Sequence, residues 1–193
     1  MATAGHKHMV LLAASMEGYR NLVKIVSKAS TEGFHFRPRA DHELLAQYAK
    51  GIIALSACIQ GEIPQLILQD NLEGARQAIE WYKDTYGPDY FFLEIQNHGL
   101  PEELKAQEAL IQLADEYGLG LVASNDFHYV NQEDADAQDI KVCISTGRRR
   151  AEEDRMKFPN DQFYLKSGDE MDQLFGHIPG AMENTLTIAE RCN

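Results

Sequence analysis

The sequence has no paired-cysteine motif. Cys58, Cys143 and Cys192 are odd in number and widely spaced, with no Cys-x-x-Cys among them, which argues against a disulfide framework or a cysteine zinc knuckle and points to a reducing cytoplasm. Basic residues are too few to offset the acids. The chain has 18 lysines and arginines against 30 aspartates and glutamates, a formal net charge of -12, so nonspecific nucleic-acid binding by the whole surface is disfavoured and only a local patch is left for such contact. No apolar run reaches the length of a bilayer span. The start, from Met1 to His8, leads into an apolar segment that is also too short for a signal-peptide core. Internal repeats and low-complexity linkers are missing as well. A soluble protein with no membrane partner is expected. Its 193 residues, 44% of them hydrophobic, suffice for one packed domain or a large piece of one.

What is present is an alternation of short apolar runs with helical stripes. Met9 to Ala13 reads as a buried strand, and Ser15 as the cap of a helix carrying Met16, Tyr19, Leu22, Val23, Val26 and Ala29 at helical spacing. After a loop over residues 33–39, a short helix from Asp41 to Ala49 precedes a second strand, Gly51 to Ser56. Leu72, Ala75, Ile79, Tyr82 and Tyr86 form the next stripe, stopped by Gly87-Pro88, and Tyr90 to Ile95 is the third strand. Pro101 to Tyr117 is a further helix and Leu119 to Ser124 the fourth strand. The remainder is mostly helical, including Glu133 to Ser145 and a last helix from Ala181 to Arg191. Strands alternating with helices imply an α/β fold with parallel pairing, in which binding residues gather beyond the carboxyl ends of the strands.

Three such ends carry groups able to hold a metal: Ser56-Ala57-Cys58, Glu94 to His98, and Asn125-Asp126-Phe127-His128. A carboxylate and an imidazole two residues apart, as in Asp126 and His128, can converge on one cation. By spacing alone the same pair is more often an Asx turn or helix cap beside a loop histidine. Cys58 by itself reads as a buried small hydrophobe, with a metal-bound thiolate as the alternative. His8 opens the first strand, and His6 reads as fortuitous. Glu94 and His98 flank the third strand end without deciding between a site and a solvated loop. The run Arg148-Arg149-Arg150 is suited to phosphate or DNA contact, yet the acids close behind it equally suit an internally paired loop.

Taken in order, the segments His8-Met-Val-Leu-Leu-Ala, Glu17-Gly-Tyr-Arg-Asn-Leu, Arg37-Pro-Arg, Leu55-Ser-Ala-Cys-Ile-Gln-Gly-Glu-Ile-Pro, Phe92-Leu-Glu-Ile-Gln-Asn-His-Gly and Ala123-Ser-Asn-Asp-Phe-His-Tyr resemble successive blocks of the PHP (polymerase and histidinol phosphatase) domain of bacterial DNA polymerase III alpha subunits. Later blocks continue the resemblance through Cys143-Ile-Ser-Thr-Gly, Phe163-Tyr-Leu-Lys-Ser and Ile188-Ala-Glu-Arg-Cys, so that it covers nearly the whole chain.

The resemblance implies a distorted α/β barrel with a metal cluster at the carboxyl ends of its strands, and places His8, Cys58, Asp126 and His128 at ligand positions. It implies divalent cations, zinc foremost, with manganese or magnesium as alternatives. In the family an amino-terminal His-x-His-Ser motif and other ligands precede the block that begins at His8. None of these is in this sequence, so a partial barrel with an incomplete site and no complete catalytic set is expected. The expected organisation is a truncated or artificial start over residues 1–7, a partial PHP barrel over 8–147, and over 148–193 the end of the PHP region leading toward the polymerase palm. The implied function is DNA-directed DNA synthesis in chromosome replication, with the metal site supporting 3'-5' exonuclease proofreading in the intact protein. DNA, a proofreading exonuclease subunit and other replisome subunits are the implied partners. The alternatives are a free-standing PHP-type phosphoesterase and a noncatalytic docking platform.

Overall fold

Strand β1 (Val10–Ala13) ends at Ser15, whose Oγ accepts the Gly18 N–H at 3.0 Å and so caps helix α1 (Met16–Thr31). The structure is a computed structural model that describes residues 5–192; of the start expected over residues 1–7, residues 1–4 lie outside the described residues. Helix α1 carries the chain about 24 Å along its axis. A loop and the short helix α2 (His42–Gln47), capped by Asp41 Oδ1 on the Leu44 N–H at 2.8 Å, then bring it back to strand β2 (Ile52–Leu55). The chain therefore goes out and returns before the second strand begins. Ala14 N–H donates to Gly51 O at 2.9 Å, and Gly18 in the first turn of α1 lies so close to Gly51 that an added Cβ would sit 1.8 Å from its carbonyl oxygen. Strand β2 thus starts where β1 stops.

The consequence is antiparallel pairing, Val10 opposite Leu55 and Ala13 opposite Ile52. The all-parallel sheet expected from the sequence needs correcting at this pair. A single crossover helix would have returned the chain to the start of β1, whereas α1 and α2 together make two passes. Beyond β2 the expected pattern holds. Helices α3 (Glu62–Leu68) and α4 (Leu72–Tyr86) lead to strand β3 (Phe91–Ile95), and helix α5 (Pro101–Tyr117) leads to strand β4 (Gly120–Ala123). Both remaining pairs are parallel, and the sheet order is β1-β2-β3-β4.

Strands β2 and β3 are buried along their whole length, so alternate residues serve two cores. Ile52, Ala54, Phe91, Leu93, Ile95, Leu121 and Ala123 meet the helices α1, α3, α4 and α5 in the larger one. Ile53, Leu55, Phe92 and Val122 form a smaller one on the opposite face, joined by Ile188 and lined by Val10 and Leu12. The C-terminal part packs on the same body. After a 3-10 turn, helices α6 (Ala135–Thr146), α7 (Gly168–Phe175) and α8 (Glu183–Arg191) follow, and the two that the sequence outlined differ by about two residues at their starts. Ala123 N–H donates to Ala181 O at 2.9 Å and Asn184 Nδ2 to Leu121 O at 2.7 Å, which covers the outer edge of β4. The α/β class is as expected, a mostly parallel four-stranded sheet surrounded by helices.

Candidate functional site

Because β1 runs antiparallel to β2, its first end lies beside the last end of β2, on the side of the sheet where β3 and β4 also end. His8 forms a bridge with Gly61, its N–H donating to Gln60 O at 3.0 Å. This places the imidazole Nδ1 3.6 Å from Cys58 Sγ. His8 stands just before the first strand, and the antiparallel course of that strand is what brings it to Cys58.

The ends of β2 and β4 are bent into the left-handed region. Ala57 has φ 62° and Asp126 φ 42°, conformations costing about 1–3 kcal/mol in a residue with a Cβ. Both immediately precede or carry a candidate side chain. Together the four strand ends surround an open cleft of about 680 Å³ whose lining includes His8, Cys58, Glu94, Gln96, Ser124 and Asp126.

Cys58 is half-buried. Burial pushes its thiol above the ordinary value, the carboxylates of Asp126 and Glu94 add to the rise, and a hydrogen bond with the Gln60 backbone opposes it. Asp126 Oδ1 lies 3.5 Å from His128 Nε2. His128 turns away from the cleft, its ring 4.7 Å from that of Phe158 and its N–H donating to Phe163 O at 2.8 Å. The four residues therefore arrive as two pairs, His8 with Cys58 and Asp126 with His128. Among the described residues no three histidine, cysteine, aspartate or glutamate side chains are drawn together closely enough to hold a metal ion. Asp126 does not cap the following helical turn, a role taken by Asn131.

Glu94 belongs to the lining of this cleft. It is the single acid in Phe91–Ile95 and is 5% exposed. Its Oε1 accepts hydrogen bonds from Ser124 Oγ and, at 3.3 Å, from Gln96 Nε2, while its buried Oε2 has no hydrogen-bond partner. Burial pushes this carboxyl above the usual carboxylate range, and the nearby Asp126 charge adds to the rise. The Ser124 and Gln96 hydrogen bonds hold it down, as does the adjacent Ala57 backbone. The signal available in the sequence was a lone acid within an otherwise apolar strand.

His98 is not a solvated loop residue. It is 1% exposed, with Nδ1 2.7 Å from Glu103 Oε1 and Nε2 2.6 Å from Asn125 O, and its ring stacks on Phe163 at 4.1 Å. It is a strut behind the cleft. The arginine run lies elsewhere. Arg148 pairs with Glu152 at 3.1 Å, and Arg150 pairs with Asp136 and, at 3.5 Å, with Asp139. Arg149 is exposed, its backbone N–H donating to Glu152 at 2.8 Å. None of the three lines the strand-end cleft. No helix among the described residues is long and apolar enough to cross a membrane.

Comparison with known proteins gives the chain its relatives. Residues 2–98 match the family described as PHP domain. The chain is 48% identical over 186 residues to the DNA polymerase III subunit alpha of Treponema pallidum (strain Nichols), with 96% of this chain and 16% of that protein covered. It is 44% identical over 194 residues to the DNA polymerase III subunit alpha of Thermus aquaticus, covering 98% of this chain and 16% of the other. The protein of the same name from Deinococcus radiodurans is 44% identical over 191 residues, with 96% and 14% covered. The chain spans about 16% of the length of the first two of these curated relatives.

Proposed function

The chain belongs to the PHP domain family, and on that premise we propose that it is the metal-binding and supporting module of a DNA polymerase III alpha subunit, the polymerase of bacterial chromosome replication. The observation that carries this reading is the cleft where β1 runs back to bring His8 against Cys58, with Asp126 on the same lining. Glu94, a residue of that lining, has a buried carboxylate oxygen without a partner, Oε2, and a cation is the kind of group that would satisfy it. The donor set fits. Thiolate, imidazole and carboxylate together suit zinc, while manganese or magnesium would rely on the carboxylates.

When bound, such a cation neutralises a phosphodiester and lowers the pKa of a coordinated water. The residues of this chain contribute position and proton state. Cys58 must give up its thiol proton, which burial and the two neighbouring carboxylates oppose until positive charge offsets them. His8 offers a ring nitrogen beside Cys58, and the left-handed turn at Asp126 presents its carboxylate beside His128. In the intact protein this site would serve 3'-5' exonuclease proofreading in the cytoplasm. DNA would be held mostly outside this acidic chain, with Arg149 as the member of its run left available for phosphate. The same body would support the polymerase and its replisome partners, a proofreading exonuclease subunit among them.

Titration of the metal-free chain with Co2+ tests the reading through the thiolate-to-cobalt absorption band. A band that saturates, and that disappears in Cys58→Ser and weakens in His8→Ala and Asp126→Ala, is expected. A chain that shows no band, or keeps it in Cys58→Ser, would refute metal binding at this cleft. The isolated chain is expected to hydrolyse single-stranded DNA little or not at all with Zn2+ or Mn2+. Robust hydrolysis abolished by Asp126→Ala would show that this chain is a complete nuclease.

A further inference from the structure

Of the described ionisable side chains lining the strand-end cleft, Glu94 alone is buried; Lys7, His8 and Asp126 are exposed and Cys58 is half-buried. Its place follows from the sheet. Alternation along β3 puts Glu94 on the face of Phe92, the face of the smaller core, where it lies opposite Val122 one residue before the strand ends. Ser124, two residues beyond Val122, lies on that same face. That core stops at this level, and the cleft begins above it.

The surroundings fix one oxygen and leave the other. Glu94 N–H donates to Ser56 Oγ at 2.8 Å, which ties the end of β2 to β3. Gln96 Nε2 donates to Ser124 Oγ at 2.8 Å, and Ser124 in turn donates to Glu94 Oε1, so a chain of hydrogen bonds orients the carboxylate. An acid kept only to brace the strand ends would have both oxygens engaged, because a buried carboxylate oxygen left without a partner is costly. Here Oε1 takes the bracing bonds and Oε2 takes none.

We propose that Glu94 is a functional part of the cation site, its oriented Oε2 providing the oxygen at the floor of the cleft for a divalent metal ion held from above by Cys58, His8 and Asp126. The proposal rests on the metal reading given above and adds a residue to it. Ser124 and Gln96 are then positioning residues, which hold the carboxylate so that the free oxygen faces the cleft.

The test is Co2+ titration of the full chain and of Glu94→Gln, Glu94→Asp and Cys58→Ser, with circular dichroism and thermal melting in EDTA run in parallel. Glu94→Gln is expected to weaken Co2+ binding by about tenfold or more while the thiolate band persists at saturation. Glu94→Asp keeps the charge but shortens the reach, and is expected to weaken binding by a smaller factor; it carries the comparison if the glutamine variant does not fold. Wild-type affinity in both folded variants overturns the role of Glu94 while the Cys58-dependent band keeps the metal reading intact. A lower melting midpoint with unchanged affinity reduces Glu94 to a brace and overturns it equally. Absence of any Cys58-dependent band in the wild-type chain removes both readings together.

Discussion

His98 Nε2 lies 2.6 Å from the carbonyl oxygen of Asn125, the residue before Asp126, and one buried ring therefore ties the β3–α5 loop to the turn that carries a candidate ligand. The other ring nitrogen meets Glu103 at the start of α5, and Asn160 Nδ2 donates to His98 O at 2.7 Å. Replacing His98 by alanine leaves the Glu103 carboxyl without its side-chain partner and opens a void against Phe163. A loss of about 3–5 kcal/mol is expected. Urea unfolding measures it, and a midpoint within error of wild type would show that the strut is dispensable.

Glu170 sets an acid limit. The hydroxyl of Tyr164 donates to it at 2.5 Å, and the Ser167 N–H and hydroxyl each donate at 2.8 Å, which together lower its carboxyl from 4.5 to about 2. A carboxylate whose value is depressed on folding stabilises the fold fully above its unfolded value and loses that contribution as pH falls through its folded value. Acid destabilisation between about pH 4.5 and about pH 2 should therefore be shallower in Glu170→Gln than in wild type. Melting midpoints across that range decide the matter; parallel curves would remove Glu170 as a cause.

At Gly18 two effects oppose each other. Alanine in a helix is favoured over glycine by about 1 kcal/mol. Its Cβ, however, would lie 1.8 Å from the Gly51 carbonyl oxygen, a backbone atom at the entry to β2. Relieving that overlap costs about 1–3 kcal/mol, so Gly18→Ala is expected to lower stability on balance. A raised unfolding midpoint would mean that α1 and β2 do not meet this closely.

The ordered elements were legible because burial leaves traces in the sequence, such as the apolar run Phe91–Ile95 broken only by Glu94 and the helical stripe from Leu72 to Tyr86. Strand direction leaves none. Nothing in the residues of β1 shows that the chain returns through α2, a helix of only six residues, so the antiparallel pair and the approach of His8 to Cys58 were out of reach. Glu94 and His98 were visible as polar residues at a strand end, but their partners Ser124, Asn125 and Phe163 are about 30 to 65 positions away. For the arginine run, the partner of Arg148 four residues on was legible in the spacing, and the partners of Arg150 in α6 were not.

The two edges of the sheet differ. The outer edge of β4 is covered by residues 181–184, whereas among the described residues β1 ends the sheet order with β2 as its one strand neighbour. An open strand edge is a template for pairing with another chain. Concentration-dependent self-association is expected in sedimentation velocity, and a single monomer boundary at all concentrations would count against it.

His8 and Cys58 touch across 50 positions of sequence. A disulfide closing a loop of that length would be worth about 4 kcal/mol in the chain-entropy model. A cation gripping both side chains would act as the same sort of staple, fastening the edge strand to the sheet and removing freedom from the unfolded chain. Occupancy of the cleft would then be felt far from it, in the cohesion of the first third of the molecule.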